Sequence, residues 1–442
     1  MPLARALTPL LVLLAALPAT AQTSHEDQWG QWRGPLGTGV APRADPPVRW
    51  SETENVRFKT ELPGTGHGSP VVFGDRVFLT AAVPVGPITD PVPDDAPGAH
   101  DNAVVRRRHE FVALAVDRAS GEIAWRTTLH EQLPHAVFHR SGTLAAASAV
   151  TDGEHVIAFF GSYGLYCLDV EGEVVWGKNL GDMSVKHGHG EGATPALFGD
   201  TVVVLWDHEG ESFIVALDKR TGEERWRVAR DEVTSWSTPL VIEHDGAPQV
   251  VASGTTRIRS YDLSDGRVVW ECVGLSNNVV ASPVFGDGIV YAGSSYARKR
   301  MVAVRLDGAK GDVTRTDNLL WVRQRGTPYV PSPLLVGEWL YFLNHYQGFL
   351  TRVHGPTGAE PARPMRLDGM QEIYASPVAA AGRVYVTDRQ GVTLVLSDDA
   401  KDPKVLARNV LDESISASAA LAGGELYLRG ARHLYCIAEP SK

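Results

Sequence analysis

The feature that most restricts this chain is a short motif, Ser or Thr followed by Pro or Ala and then apolar residues, which recurs along most of its length. The motif hydroxyl residues are Ser69, Ser148, Thr194, Thr238, Ser282, Ser332, Ser376 and Ser418. Subtracting successive positions gives spacings of 79, 46, 44, 44, 50, 44 and 42 residues. A nearly constant spacing of about 45 residues indicates a repeat fold, in which each unit is one supersecondary element stacked on its neighbours.

Each unit also has the pattern of four short strands. In the fifth unit, the motif at 282–285 meets a Gly-Asp-Gly turn at 286–288, and apolar stretches follow at 289–292 and 301–304. A fourth stretch often ends in Trp, as in "DVEGEVVW", which ends at Trp176 and is suited to packing between neighbouring sheets. β-Branched runs bounded by Gly-Asp turns predict strands, and four strands per unit are typical of a β-propeller blade.

The two ends of the repeat region predict how the ring closes. The last unit has three strand stretches, the final one at 433–437. Its missing fourth strand has a counterpart near the start, because "FKTEL" at 58–62 matches "WRTTL" at 125–129, with Phe58 at the Trp position. We therefore predict an all-β fold, an eight-bladed β-propeller of four-stranded antiparallel blades over residues 55–439, with the last blade closed by an N-terminal strand.

The chain begins with the pattern of a secretory signal peptide, which we assign to residues 1–21. Arg5 supplies the positive end, residues 10–17 form a short apolar core, and an A-x-A sequence at 19–21 precedes Gln22. The apolar run is shorter than the ~20 residues of a spanning helix, so a periplasmic or secreted protein is expected rather than one with a membrane anchor. The residue immediately after the cleavage site is Gln22 and not Cys, so no lipid anchor is expected.

Two segments lie outside the repeat pattern. Residues 22–54 are predicted to form an extended strap, with Trp29, Trp32 and Trp50 as the side chains that dock it on the propeller. Residues 84–109 are an insertion that explains the one long spacing, and their prolines predict an irregular loop. This insertion either folds over the channel as a lid or forms a solvated excursion.

The repeats resemble those of a known family. The stretch "ALDKRTGEERW", at 216–226, resembles the repeat of the pyrroloquinoline-quinone (PQQ)-like β-propellers. "QWRGP" at 31–35 and "FFGSYGLYCLDVEGEVVW" at 159–176 resemble a group of exported bacterial propellers described as quinone-binding-like. The resemblance extends over residues 55–439 and implies the propeller fold, whereas function has to be argued from the site because one fold serves many functions.

The resemblance implies two kinds of function. Quinoprotein dehydrogenases hold PQQ with a Ca²⁺ site and, in many members, a disulfide between adjacent Cys; here no two Cys are adjacent, and no Glu/Asn/Asp set matches that calcium site. The outer-membrane assembly lipoprotein is a scaffold, but its lipidated Cys has no counterpart here. We therefore expect an exported, non-catalytic binding or scaffold protein and assign no catalytic residue, metal or cofactor. The alternative is a dehydrogenase dependent on PQQ and calcium, or another enzyme in the channel.

One face of the predicted propeller carries most of the chemically versatile residues. The links between blades lie on the same face as the loops between the second and third strands of each blade. The candidate ligand-binding residues on these loops are His67, His139, His187, His189, Glu191, His208, Trp236, Asn277, Tyr329, His345, Tyr346 and Tyr374. We expect a monomer that binds a protein, peptide or glycan here. Nucleic acid is not expected, because the net charge is −10 and nucleic-acid binders carry a basic face.

The densest group on this face is "SVKHGHGEGATP" at 184–195, which holds His187, His189 and Glu191 close together. Zinc would need three or four ligands, and Glu191 and His208 complete such a set only if the fold brings them together. The other two interpretations are a polar loop whose glycines allow close approach to the channel axis, and a contact with a non-metal ligand.

The three cysteines are predicted to be free. Cys167 in "GLYC" and Cys436 in "HLYC" occupy the same repeat position in blades 2 and 8, which are separated by blade 1. That separation exceeds the Cα limit of about 7 Å for a disulfide. Cys272 follows the Trp of blade 4, in another part of the ring. All three are expected to act as small buried apolar residues.

Overall fold

The computed structural model describes residues 25–440, and these form eight sheets arranged as the blades of a β-propeller. Helix within this range is confined to 3₁₀ turns at His25–Asp27, Gly161–Tyr163 and Lys186–Gly188. The predicted all-β, eight-bladed architecture is confirmed. No helix in this range is long and apolar enough to cross a membrane. The predicted signal peptide, residues 1–21, lies outside the described residues.

The strands of the first four blades run from the channel outwards in chain order. Strand β1 (Val56–Glu61) precedes them, and blade 1 consists of β2 (Val71–Phe73), β3 (Arg76–Val85), β5 (Arg108–Asp117) and β6 (Ile123–Gln132). Strand β4 (Asn102–Ala103) lies between β3 and β5 in the chain, and β7 (Phe138–His139) follows β6. Blade 2 has β8 (Val150–Thr151), β9 (His155–Phe159), β10 (Leu165–Asp169) and β11 (Val174–Lys178). Blade 3 has β12 (Ala196–Phe198), β13 (Thr201–Trp206), β14 (Phe213–Asp218) and β15 (Glu224–Ala229). Blade 4 has β16 (Leu240–His244), β17 (Ala247–Ala252), β18 (Arg257–Asp262) and β19 (Val268–Val273).

The remaining blades follow the same plan. Blade 5 has β20 (Val284–Gly286), β21 (Ile289–Ser294), β22 (Arg300–Arg305) and β24 (Leu319–Arg323), and β23 (Gly311–Asp312) adds to the edge of blade 4. Blade 6 has β25 (Leu334–Val336), β26 (Trp339–Leu343), β27 (Phe349–His354) and β28 (Met365–Arg366). Blade 7 has β29 (Val378–Ala380), β30 (Arg383–Thr387), β31 (Val392–Ser397) and β32 (Val405–Val410). Blade 8 has β33 (Ala420–Ala422), β34 (Glu425–Arg429) and β35 (His433–Ala438), completed by β1.

The ring is closed by the N-terminal strand, as predicted. Strand β1 pairs antiparallel with β35, with Phe58 opposite Cys436 and Thr60 opposite Leu434. Backbone hydrogen bonds continue the pairing at both ends, from Ala438 to Asn55 (2.9 Å) and from Leu62 to Arg432 (2.7 Å). The first and last parts of the propeller are thus joined within one sheet, which closes the ring without a covalent link.

The outer strands of neighbouring blades are joined by a Trp and a Gly. The Trp176 indole at the edge of blade 2 donates from Nε1 to the Lys219 carbonyl (2.7 Å) and packs against Gly222 in the hairpin turn of blade 3. Gly222 has a φ of +71°, and a Cβ there would lie 2.8 Å from the Trp176 ring. The equivalent pairs are Phe58 with Gly121, Trp125 with Gly172, Trp226 with Gly266, and Trp321 with Gly358. The recurrent Gly and Trp are therefore two halves of one inter-blade contact.

This contact predicts that Gly222→Ala destabilises the propeller more than Gly199→Ala does. Both glycines have positive φ, but a Cβ on Gly199 meets no atom within 4 Å, whereas one on Gly222 meets Trp176. Overpacking of this kind costs about 1–3 kcal/mol beyond the shared backbone strain. Urea unfolding of the two variants measures the difference, and equal midpoints would show that the Trp176 contact does not constrain this turn.

The segment before the propeller crosses the central channel. Residues 29–41, here called the plug, pair with the innermost strands of blades on opposite sides of the ring. The contacts are Trp29 with Val72, Gly30 with Thr151, Thr38 with Leu335, and Val40 with Ala379. Arg33 lies buried within the plug and donates to the carbonyls of Pro333 and Pro377, both at 2.8 Å. The plug closes the channel at one end, so that the channel is open only at the other.

The cysteines lie inside the blades. Cys167, Cys272 and Cys436 are free and buried, as their repeat positions predict. Burial raises the pKa of each thiol to about 12, so the three thiols are neutral and act as apolar packing groups.

Candidate ligand-binding site at the channel mouth

The open end of the channel is organised by a closed ring of hydrogen bonds. The backbone N–H of each motif residue donates to the side-chain hydroxyl of the motif residue in the next blade. The bonds are Ser69 to Ser148 (2.8 Å), Ser148 to Thr194 (3.1 Å), Thr194 to Thr238 (3.0 Å), Thr238 to Ser282 (2.8 Å), Ser282 to Ser332 (2.9 Å), Ser332 to Ser376 (2.8 Å), Ser376 to Ser418 (2.9 Å) and Ser418 to Ser69 (3.0 Å). The repeated Ser or Thr thus holds all eight blades at one level around the axis.

Directly above this ring lies a cavity of about 420 Å³, the channel mouth. Each blade contributes the residue two positions before its motif hydroxyl. These residues are His67, Ala146, Gly192, Trp236, Val280, Val330, Tyr374 and Ser416. Trp32 of the plug also lines the cavity, and its Nε1 donates to Ser418 Oγ at 3.4 Å. The mouth is therefore a blind pocket to which every blade contributes one residue at this level.

One side of the mouth is an aromatic wall formed by Tyr296, Tyr329, His345, Tyr346 and Tyr374. Successive ring centroids lie 5.8 Å apart for Tyr296 and Tyr329, 4.6 Å for Tyr329 and His345, 4.0 Å for His345 and Tyr346, and 5.6 Å for Tyr346 and Tyr374. These distances are typical of stacked or tilted aromatic pairs. Blades 5–7 thus present a continuous row of rings to the cavity.

The opposite rim carries a histidine cluster formed by His100, His139, His187 and His189. The His189 ring is central, with centroids 4.8 Å from His100, 4.7 Å from His139 and 5.3 Å from His187. Burial, followed by the neighbouring imidazoles, lowers the pKa of His189 to about 4. Burial also lowers the pKa of His139. Those two rings are therefore neutral at neutral pH.

The loop at 184–195 separates the channel mouth from a second cavity of about 470 Å³, since Gly190, Glu191 and Gly192 line both. Gly190 has a φ of +82°, and a Cβ there would lie 2.8 Å from Phe138. The glycines of this loop are thus needed for its path between the two cavities. The second cavity has Phe160 and Tyr163 in its wall.

Glu191 points away from the channel. Its carboxylate accepts hydrogen bonds from the Ser162 backbone N–H and hydroxyl, both at 2.6 Å. Burial raises its pKa from 4.5 to about 7, although both bonds from Ser162 oppose the shift. Glu191 is therefore an internal polar support of the loop.

The structure brings most of the predicted site residues together. Those that line the mouth are His67, His139, His189, Glu191, Trp236, Tyr329, His345, Tyr346 and Tyr374. His187 lies on the rim, where its Nδ1 is 3.1 Å from the Pro97 carbonyl. His208 is buried, with Nδ1 accepting from the Ser184 N–H at 3.0 Å, and Asn277 is exposed. The His187, His189, Glu191 and His208 metal set considered from sequence is not assembled, because Glu191 and His208 each bond elsewhere.

The lining also includes aromatic and polar residues outside the candidate set, among them Trp32, His100, Asn278 and Tyr296. Tyr296 lies in a loop between second and third strands, so the face rule itself would have found it. Asn278 is buried in place of its neighbour Asn277, because its φ of +59° reverses the expected side-chain alternation. Trp32 and His100 belong to non-repeating segments, whose course no periodic signal reports.

The insertion at 84–109 differs from both expectations. Strand β4 within it pairs with β7 in the link between blades 1 and 2. Val92 and Val105 of the insertion form a small buried cluster with Val137 of that link. Since this apolar contact docks it on one side, the insertion is neither a free solvated excursion nor a cover across the channel. Its contribution to the mouth is His100 and Asp101.

Another group of potential metal ligands lies outside the mouth. In residues 25–440, the set whose ligand atoms lie within 4.8 Å of one another is Asp152, Glu154 and His155. The buried Lys219 ammonium contacts Asp152 and lies 4.0 Å from Glu154. A lysine thus already supplies the positive charge at these carboxylates.

The channel mouth does not fit a calcium-bound quinone. Its described lining includes the carboxylates Asp101 and Glu191 and no Lys or Arg. Glu191 is engaged by Ser162, and Asp101 pairs with Arg140 at 3.1 Å. Calcium takes about six to eight oxygen ligands, and the carboxylates of PQQ call for cationic partners. No step of quinone chemistry is therefore assigned to this site.

The fold and the hydroxyl ring define a PQQ-like β-propeller, as the repeat sequences predict. The chain matches the family described as outer membrane protein assembly factor BamB over residues 40–204, 162–273 and 210–441, and it belongs to that family. No curated protein matches it.

Solved structures with the same fold include BamB and two dehydrogenases. BamB from Moraxella catarrhalis is 17% identical, with a TM-score of 0.54 over 82% of this chain and 98% of that one. A europium-containing methanol dehydrogenase is 11% identical, with a TM-score of 0.60 over 92% and 90% of the two chains. A quinohemoprotein alcohol dehydrogenase from Pseudomonas putida HK5 is 11% identical, with a TM-score of 0.56 over 95% and 82%. At these identities the similarity establishes the fold alone.

The burial of Glu191 predicts a pH-dependent stability. The pKa of Glu191 is raised from 4.5 to about 7 in the folded chain. Protonation of Glu191 therefore stabilises the fold at low pH, and this contribution to the free energy of unfolding is lost as pH rises from 4.5 through about 7. We expect Glu191→Gln to be more stable than the wild type at pH 8, by a few kcal/mol at most, and equally stable near pH 4.5. Urea midpoints at the two pH values measure this.

A matched control is Glu171→Gln, which changes an exposed carboxylate in a turn of blade 2. It should leave the difference between the two pH values unchanged. A Glu191→Gln variant that is less stable than the wild type at pH 8 would show that the Ser162 bonds outweigh the burial of the charge.

Proposed function

We propose that this chain is an exported, non-catalytic binding protein that receives a peptide segment of a protein partner in its channel mouth. The observation that carries the proposal is the shape of the mouth, a blind pocket of about 420 Å³ with an aromatic wall. Because the plug closes the channel below it, a ligand has to enter and leave by the same side. This geometry suits a chain end or a projecting loop.

The chemistry of the lining supports binding by stacking and hydrogen bonding. The aromatic wall offers ring faces and edges, which bury apolar and planar groups while the Tyr hydroxyls remain available to polar partners. The buried Asn278 Oδ1 and His345 Nδ1 have no hydrogen-bond partner within the described residues. Both residues line the mouth, so rotation of either side chain would present the unpartnered atom to a polar group of a ligand, such as the N–H of a peptide.

The family supports a protein partner and a location outside the cytoplasm. The matching family is described as an outer membrane protein assembly factor, and the first residues have the signal-peptide pattern. Both observations are consistent with a monomeric propeller that is periplasmic or secreted. Such a propeller would present its loop face to a protein partner.

The aromatic wall predicts the effect of substitutions on binding. We expect Tyr329→Ala/Tyr346→Ala to weaken a peptide selected from a displayed library by at least about tenfold, because each lost aromatic contact is worth about 1 kcal/mol. Asp75→Ala, in an exposed turn on the opposite face, should leave affinity unchanged. Trp32 and Trp236 line the mouth, so their fluorescence reports occupancy in the titration.

Two outcomes would contradict the proposal. Selective binding on a glycan array with no peptide selected would replace the peptide ligand by a glycan. Stoichiometric quinone absorbance after incubation with PQQ and Ca²⁺, lost in Tyr329→Ala/Tyr346→Ala, would establish the dehydrogenase alternative.

A further inference from the structure

The histidine cluster brings imidazole rings to within about 5 Å of one another at the rim of the channel mouth. We propose that His100, His187 and His189 together bind one divalent transition-metal ion of the imidazole-preferring class, for which Zn²⁺ is the first probe. The site lies on the rim of the channel mouth and joins the insertion to the link that precedes blade 3. It is independent of the peptide-binding proposal, because metal binding is measured without any other ligand.

The spacing of the three rings matches that of ligands around one ion. Their centroids form a closed triangle, with sides of 5.0 Å (His100–His187), 4.8 Å (His100–His189) and 5.3 Å (His187–His189). With a Zn–N bond of about 2.1 Å, ring centroids lie about 3 Å from the metal, and two rings at a tetrahedral angle are roughly 5 Å apart. The observed triangle therefore needs no backbone movement to surround an ion.

The hydrogen bonds of the rings leave one nitrogen of each available. His100 Nδ1 lies 2.7 Å from the Gly98 carbonyl, and His187 Nδ1 lies 3.1 Å from the Pro97 carbonyl. A carbonyl only accepts, so Nδ1 carries the proton in both rings and Nε2 keeps its lone pair. A bond from the second nitrogen to a backbone carbonyl is what orients most metal-binding histidines.

His189 completes the set. Its Nε2 is buried and has no hydrogen-bond partner within the described residues. An unpartnered buried nitrogen at the centre of four imidazoles is costly, and a metal ion would satisfy it.

His139 is a neighbour of the site rather than a ligand. Its Nδ1 accepts from the Ser141 backbone N–H at 3.2 Å, so its Nε2 carries the proton. Three protein ligands leave one tetrahedral position for water or a ligand group, as in zinc sites that remain open. In residues 25–440 the group whose ligand atoms already lie within 4.8 Å of one another is Asp152, Glu154 and His155, so the rings of the three proposed ligands have to turn about their side-chain bonds to bind an ion.

The test is a Zn²⁺ titration of the purified, EDTA-treated chain in competition with a chromophoric chelator. In a second experiment Co²⁺ is added in place of Zn²⁺ and the visible spectrum is recorded. We expect one ion per chain and a Co²⁺ spectrum typical of tetrahedral nitrogen coordination. His100→Ala and His189→Ala should each weaken Zn²⁺ by at least about tenfold, the lower bound for losing even a supporting partner. His139→Ala, in the same cluster, and His345→Ala, across the mouth, should bind Zn²⁺ as the wild type does.

A second readout uses the insertion. Because His100 lies within it, bound Zn²⁺ should slow tryptic cleavage at the exposed Arg106 and Arg107, and His100→Ala should lose this protection. Melting temperatures of the metal-free variants check that each is folded. Absence of one-to-one binding, loss of Zn²⁺ in His155→Ala instead of His189→Ala, or retention of Zn²⁺ in His100→Ala would each overturn the three-histidine site.

Discussion

The structure depends on one repeated interaction, the hydrogen bond from the backbone N–H of each motif Ser or Thr to the hydroxyl of the next. Each bond contributes only about 1 kcal/mol, but the eight bonds form a closed ring from Ser69 to Ser418 and back. A closed ring sets the height of every blade relative to its neighbours. The residues two positions before each hydroxyl therefore reach the same level, and eight otherwise unrelated residues line the mouth there.

Farther from the axis, the blades are held by the pairing of a large ring with a glycine. Trp176 and its equivalents fill the space left by the missing Cβ in the next blade, and the four Trp indoles, unlike Phe58, also bond to a carbonyl of that turn. These contacts are similar around much of the ring, whereas the loops above the ring differ in sequence from blade to blade. Such a division lets one scaffold carry a histidine cluster over blades 1–3 and an aromatic wall over blades 5–7.

The repeat made the fold predictable, because motif spacing, Gly-Asp turns and the matching of "FKTEL" to "WRTTL" report directly on strand pairing. It also placed Trp236, Tyr374 and His67 at the mouth, since they occupy a fixed position before the motif hydroxyl. What the repeat could not report is the course of segments that occur once. The plug, with Trp32 on its upper side, and His100 in the insertion are positioned by contacts distant in sequence, and Asn278 is turned inward by a local backbone conformation.

The plug also determines when the site can exist. Residues 29–41 are synthesised before the propeller blades, yet Arg33 bonds to Pro333 and Pro377, which are 300 and 344 positions further along the chain. Strand β1 likewise waits for β35. Contacts of such long range form late in folding, since the loop they close is nearly the whole protein. The closed end of the channel can therefore form only once blades 6 and 7 are present to bond the plug, and a chain that lacks those blades presents loops but no enclosed pocket to a partner.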